Sequence, residues 1–158
     1  DMKYDSGNLW CNDEKKLTTG EVFESISEYV NKGGTIFVGT DSMLRNDYCK
    51  FASVIAIHSN DLKVANYFYK KKNLPAKQYK MLQNKIFEEV DCSIQIAKQC
   101  ADRFPNAKIE VHVDVGRTNR SKTRIYVDML RGWVTGMGYL FKVKPQSWAS
   151  YIADWHSK

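Results

Sequence analysis

An aspartate at the end of an apolar run is the first residue in this sequence that could do chemistry. Residues 35–42 read Thr-Ile-Phe-Val-Gly-Thr-Asp-Ser, a pattern typical of a strand that is buried on both faces and ends at Asp41. An ionised carboxylate on a core strand requires a strong partner, because burying a bare charge is costly. We interpret Asp41 as the first ligand of a metal site, and Gly39 leaves space beside it. The alternative is an aspartate that only caps a turn at the end of the strand.

A second apolar run, residues 108–114, also ends in an aspartate. His112 and Asp114 share one face of this predicted strand, because side chains alternate along a strand. If the two strands are parallel neighbours, Asp41 and Asp114 lie side by side at their carboxyl ends, where open α/β sheets place their sites.

Two predicted helices supply further carboxylates. On the long helix after Pro75, Glu89 lies on the shoulder of the apolar stripe, whereas Glu88 is expected to face solvent. On the last helix, which begins after Ser147, Asp154 lies away from the apolar side. It is either a fourth ligand or a surface charge.

Carboxylates that converge cannot all be ionised unless a cation neutralises them. Oxygen ligands select Mg²⁺ or Mn²⁺ in preference to zinc. Two such ions about 4 Å apart stabilise the attacking water and the leaving oxygen of a phosphodiester. The set predicts metal-dependent phosphodiester hydrolysis, with the ligands Asp41, Glu89, Asp114 and Asp154.

Composition bounds the class of protein. The 158 residues are expected to form one domain, and 24 Lys and Arg against 18 Asp and Glu give a charge of +6, which favours polyanionic partners. The four cysteines form no Cys-x-x-Cys pair, so reduced thiols are expected and a zinc site is not. No apolar run is long enough to cross a bilayer and no secretory leader is visible, so a cytoplasmic location without a membrane is expected.

The predicted elements form an α/β fold. Residues 1–17 are expected to be an extended lead-in and residues 18–33 a helix. The order that follows is β-β-β-α-β-α-β-α, which predicts a five-stranded mixed sheet with helices on both faces. On the helix that follows Asp114, a stripe at four-residue steps is expected to face the core and consists of Ile125, Met129 and Trp133.

A basic segment follows Asp114 in the sequence. Its charged residues either contact phosphates or form a solvated surface; they are Arg117, Arg120, Lys122 and Arg124. A separate lysine cluster includes residues 70–72. Ser42 and His112 are candidate auxiliary residues, although His112 is also explained as a histidine packed in the sheet.

An ordered set of motifs resembles the YkuK family of bacteria and phages, which is regarded as ribonuclease H-like. The resemblance covers most of the chain, and the motifs are Val38-Gly39-Thr40-Asp41-Ser42, Glu89-Val90, His112-Val113-Asp114-Val115, Gly132-Trp133-Val134-Thr135-Gly136 and Ala153-Asp154. It implies the ribonuclease H fold, with Asp41, Glu89, Asp114 and Asp154 holding two Mg²⁺ or Mn²⁺ ions. The family pattern differs after the first and last of these motifs, where this chain has Met43 and Trp155.

Two functions are compatible with the sequence. The first is a nuclease that cleaves RNA, DNA or an RNA–DNA hybrid by two-metal chemistry. The second is a nucleic-acid-binding or interaction module with weak or no activity; a phage protein that acts on host machinery would belong to this class. Metal-dependent cleavage of labelled oligonucleotides distinguishes them.

Overall fold

A single mixed sheet organises the chain. The computed structural model describes residues 9–13, 15–58, 65–115, 120–143 and 146–158. In chain order its elements are β1 (Trp10–Asn12), β2 (Lys15–Leu17), α1 (Thr19–Asn31), β3 (Ile36–Leu44), β4 (Tyr48–His58), β5 (Ala65–Pro75), α2 (Leu82–Arg103), β6 (Ile109–His112), α3 (Arg120–Gly136), β7 (Leu140–Lys142) and α4 (Trp148–Ser157). A short 3₁₀-helix, Ala76–Tyr79, lies between β5 and α2.

The strand order in the sheet is β2-β1-β5-β4-β3-β6-β7. Strands β3, β4 and β5, which are consecutive in the chain, form an antiparallel meander. Strand β6 is parallel to β3, and β7 is parallel to β6. The predicted mixed α/β class is therefore correct, and the strand that ends near Asp114 is the parallel neighbour of the strand that carries Asp41.

The prediction of five strands is wrong, because the expected lead-in contains two more. Strands β1 and β2 pair as a hairpin, with Trp10 opposite Leu17, and Cys11 of β1 pairs with Tyr69 of β5. The Trp10 side chain is completely buried. Each of these strands has only three residues, which is too short for alternation to be recognised in the sequence.

Helices cover both faces of the sheet, as predicted. Residues of α1, α2 and α3 share one apolar core with Ile36 and Val38 of β3. On the other face, α4 packs against Phe37 through Ala149 and Ile152. The alternating residues of β3 therefore face two different helical layers, which explains why this strand is buried on both sides.

Buried hydroxyl groups fix α2 on the sheet. The Thr40 Oγ1 atom lies 2.9 Å from Ser53 Oγ of β4 and 2.8 Å from Ser93 Oγ of α2. All three side chains are almost fully buried. The bonds connect two strands and the helix at one level, and this level is close to Glu89 on the same helix.

The predicted core stripe of α3 is wrong. Ile125 and Met129 are 63% and 53% exposed, whereas Leu130 and Val134 are completely buried. This helix has apolar residues on two sides, so four-residue spacing alone did not identify the side that packs. In α4, the spacing of Trp148, Ile152 and Trp155 predicts one apolar side, but Trp155 is likewise 64% exposed.

None of the helices described here is long and apolar enough to span a membrane.

Candidate active site

Asp41 lies within β3, not at its end as predicted, because the strand continues to Leu44. Its side chain is on the face that α4 covers. The Ser157 hydroxyl donates a hydrogen bond to Asp41 Oδ2 (3.0 Å), and the Asp41 carboxyl is hydrogen-bonded to that of Asp154. Asp154 also forms an ion pair with Lys158 at 3.1 Å. The last turn of α4 thus brings two predicted ligands into direct contact.

A glycine allows α4 to lie this close to β3. A Cβ atom on Gly39 would be 2.8 Å from the carbonyl carbon of Ala149 and 2.8 Å from the nitrogen of Ser150, closer than real Cβ contacts. The first turn of α4 therefore rests on the strand backbone itself. Gly39 precedes Asp41 by two residues on the same face, so this contact also determines where the last turn meets Asp41.

The neighbouring strand holds the start of α4 in place. His112 of β6 is 1% exposed, and its Nδ1 atom accepts a hydrogen bond from the Ala149 N–H (3.0 Å). Its Nε2 atom lies 2.9 Å from Glu110 Oε1, which is consistent with donation to the carboxylate. The side chain of Ser147, the N-cap residue, makes no capping bond within the described part of the chain, so the imidazole does this instead. Burial lowers the pKa of His112, which favours the neutral ring that this role requires.

Glu89 reaches the site from the opposite helical layer. It is 5% exposed, as the prediction of a shoulder position implies, and the Ser42 hydroxyl donates to its Oε2 atom (2.5 Å). Ser42 follows Asp41 on β3 and faces the other side of the sheet. The auxiliary residue Ser42 therefore holds the Glu89 carboxylate beside the strand that carries Asp41.

Asp114 follows the carboxyl end of β6 and is half-buried. Its negative charge contributes to raising the pKa values of both Asp41 and Glu89. Because β6 is parallel to β3, the site lies at the carboxyl end of β6, which is the end of parallel strands where open α/β folds place functional groups.

The electrostatics show that the carboxyl groups influence one another. Burial, followed by the hydrogen bond with Asp154, raises the pKa of Asp41 to about 7. Burial, followed by the charge of Asp41, raises the pKa of Glu89 to about 8, although the Ser42 hydrogen bond opposes this change. Without a counter-charge, the folded protein at neutral pH holds two acids in a state that favours protonation.

The donor set is chemically suited to Mg²⁺ or Mn²⁺, since all four candidate ligands are carboxylates and two of them are disfavoured as bare anions. In the conformation described, however, no three His, Cys, Asp or Glu side chains among the described residues are arranged to hold one ion. The Glu89 carboxylate is directed towards Ser42, while Asp41 is bonded to α4. The two carboxylates therefore have different partners on opposite faces of β3 in this conformation.

Two further predictions concern the basic segment after Asp114 and the orientation of Glu88. Arg117 lies outside the described residues, as do the side chains of Arg120 and Lys122; Arg124 is exposed on α3. Glu88 does not face solvent as expected, because its Oε1 accepts a hydrogen bond from the Tyr79 hydroxyl (2.9 Å).

His156, near the end of α4, stacks on Tyr69 with ring centroids 3.7 Å apart. Ser157 and Glu110 were not identified from the sequence. Their roles depend on contacts between distant elements, and a serine near the chain end or a glutamate on a strand gives no local signal of them.

Comparison with known families identifies the class of protein. Residues 19–158 match the family described as ribonuclease H-like, and the chain belongs to that family. Over 157 residues it is 24% identical to the uncharacterized protein YkuK of Bacillus subtilis (strain 168), an alignment that covers 87% of this chain and 89% of that protein. The resemblance to the YkuK family and to ribonuclease H-like proteins is thus confirmed.

Proposed function

We propose that this protein is a nuclease that hydrolyses phosphodiester bonds of RNA, DNA or an RNA–DNA hybrid with the help of Mg²⁺ or Mn²⁺. The observation that carries the proposal is that the half-buried Asp41 carboxyl is hydrogen-bonded to that of Asp154 and is influenced by the charge of Asp114, at the carboxyl end of β6. A cluster of this kind is unfavourable unless a cation binds to it, and pKa values perturbed in this way are typical of functional sites.

Asp41, Glu89, Asp114 and Asp154 are the residues that would hold the ions. When bound, two divalent ions supply an activated water and neutralise charge on the leaving oxygen of a phosphodiester. The chain contributes the positions of the ligands: Ser157 orients the Asp41 carboxyl. Ser42 orients Glu89 on the other side of β3.

Nucleic acid is the partner that the family and the charge favour. The net charge of +6 supports binding of a polyanion. Arg124 is exposed on α3, the helix that follows Asp114. With Arg117, Arg120 and Lys122 it belongs to the basic segment that we propose contacts phosphates near the carboxylates. A cytoplasmic location fits the free cysteines.

The test is cleavage of labelled RNA, DNA and hybrid oligonucleotides with Mg²⁺ or Mn²⁺. The variants Asp41→Asn and Asp114→Asn should lose cleavage by at least about a hundredfold while they remain folded, because each removes a charge that the ions require. Asp102→Asn, an exposed aspartate on α2, is the matched control and should retain activity. Cleavage that persists in both site variants would refute the proposed site.

The second candidate is a nucleic-acid-binding or interaction module without catalysis. The observation that favours it is that no three candidate ligands among the described residues are placed around one ion. Under this alternative, oligonucleotides bind to the wild type without divalent ions and no substrate is cleaved in their presence.

A further inference from the structure

A polar cavity lies on the α2 side of β4 and β5, and none of the four candidate metal ligands lines it. Its volume is about 380 Å³, within the range of ligand pockets. Its polar lining includes Ser53, Lys70, Lys71, Lys72, Asp91, Gln95 and Gln99. Phe51 and Cys92 also line it, and they belong with Tyr79 to a buried apolar cluster.

Strand register explains why the Lys70 and Lys72 side chains point into this cavity. Ser53 of β4 pairs with Lys70 of β5, and Thr40 of β3 pairs with Ser53. Because cross-strand partners share a face, Lys70 lies on the face where Thr40 bonds Ser93 of α2. Lys72 is two residues further along β5 and therefore lies on the same face.

Lys70 is one of the lysines that line the cavity. It is half-buried, and its Nζ atom lies 4.9 Å from the centroid of the Trp10 ring. No carboxylate within the described residues forms an ion pair with it. Burial, together with the charge of Lys72, lowers the pKa of Lys70. An anion bound in the cavity would favour the charged ammonium form of Lys70 and so counteract both burial and the charge of Lys72.

The other groups in the cavity favour the same kind of ligand. Lys72 Nζ is 3.7 Å from Glu88 Oε2, a long ion pair, and Cys92 is its other neighbour; an ammonium group has three hydrogens, so one remains for a ligand. Gln95 and Gln99 are exposed on α2 and carry amide donors. Asp91 is the one acid in the lining, and its Oδ1 already accepts from Gln95 Nε2 (3.4 Å).

We propose that this cavity binds the phosphate group of a nucleotide or of a nucleic-acid strand. The lysine ammonium groups supply point charges of the kind that bind phosphate, and the amides supply further donors. The volume exceeds that of the phosphate group alone, so part of the attached nucleoside has room in the cavity. The site does not require the metal centre.

The experiment is an NMR titration of ¹⁵N-labelled protein in EDTA, which observes the side-chain amides of Gln95 and Gln99. The probes are adenosine 5′-monophosphate, adenosine, and a short single-stranded DNA oligonucleotide. We expect the phosphate-bearing probes to shift these resonances and adenosine to leave them unchanged. Saturation by the monophosphate identifies a free nucleotide as the ligand, whereas saturation by the oligonucleotide alone identifies a strand backbone.

Variants test the charges. Lys70→Gln should weaken binding by about tenfold, because it removes a charged contact to the phosphate, and Lys70→Arg should largely restore it. Asp91→Asn should strengthen binding a few-fold, since it removes the opposing charge. Lys98→Gln, an exposed lysine on α2 outside the cavity lining, is the matched control and should have no effect.

The proposal is overturned if phosphate-bearing probes at millimolar concentration leave the two amides unshifted, or if Lys70→Gln and Lys72→Gln both bind as tightly as the wild type. If Lys70→Gln does not fold, Lys72→Gln provides the same test. Asp41→Asn should leave this binding unchanged, so failure of the metal-centre proposal is distinguishable from failure of this one.

Discussion

Replacing Asp41 by asparagine should stabilise the metal-free protein, and the gain should increase with pH. The pKa of this carboxyl is raised from 3.8 to about 7 on folding. Between these values the folded state binds more protons than the unfolded state, so stability falls as pH rises. Asparagine has nearly the same shape and does not ionise, so it should avoid this loss.

The magnitude follows from the two pKa values. One pKa unit corresponds to about 1.4 kcal/mol, so the full shift is worth about 4 kcal/mol at most. Part of it belongs to the neighbouring carboxyls, because Asp154 and Asp114 contribute to it. We expect the advantage of Asp41→Asn over the wild type to grow by about 2–3 kcal/mol between pH 5 and pH 8.

Urea denaturation in EDTA at both pH values measures this difference. In thermal unfolding, the Tm difference between Asp41→Asn and the wild type should increase by about 4–10 °C from pH 5 to pH 8. Burial lowers the pKa values of His112 and His156, so their titration makes stability rise with pH, opposite to the effect of Asp41. Comparing the variant with the wild type at the same pH removes this contribution. Asp102→Asn is the control and should show no such trend.

Divalent ions provide the second half of this test. Mn²⁺ or Mg²⁺ at pH 8 should raise the Tm of the wild type, because a ligand that binds only the folded state stabilises it, and should raise that of Asp41→Asn much less. An advantage of Asp41→Asn that is flat or decreases with pH would refute the electrostatic reasoning. An equal effect of the ions on both proteins would refute the role of Asp41 as a ligand.

Three further predictions concern the supports of the site. Gly39→Ala should destabilise the protein by about 1–3 kcal/mol in urea denaturation, because its Cβ would overlap α4, whereas Gly20→Ala, whose Cβ has space, should not. His112→Leu should cost about 1–3 kcal/mol and accelerate hydrogen exchange of the Ala149 amide, since that buried N–H loses its acceptor. Ile125→Gln should change stability by less than about 0.5 kcal/mol, because the side chain is 63% exposed; a loss above about 2 kcal/mol would show that this face is packed.

Local sequence patterns predicted the central part of the fold. Strands β3, β4, β5 and β6 contain β-branched or aromatic residues in runs, and the helical angle of 100° per residue placed Glu89 on the buried shoulder of α2. These features depend on periodicity within one segment, which the sequence displays directly. The order of elements allowed β6 to be the parallel neighbour of β3 but did not require it.

The remaining features depend on contacts between segments. The hairpin of β1 and β2 is too short for a periodic pattern, and the side of α3 that packs is decided by the sheet beneath it. The contacts of Ser157 with Asp41 and of His112 with Ala149 join elements that are distant in the sequence. The four candidate ligands were selected from the sequence, and their role as ligands stays a prediction.

The hydroxyl groups of Thr40, Ser53 and Ser93 prevent α2 from sliding along its axis. A displacement by one helical turn, about 5.4 Å, would break the bond to Ser93 and leave a buried oxygen without a partner. We expect substitutions there to be limited to exchanges between serine and threonine, since alanine or valine would remove the link. A purely apolar interface would not impose this restriction. The three hydroxyl groups therefore help to fix the position of α2, and with it Glu89, along β3.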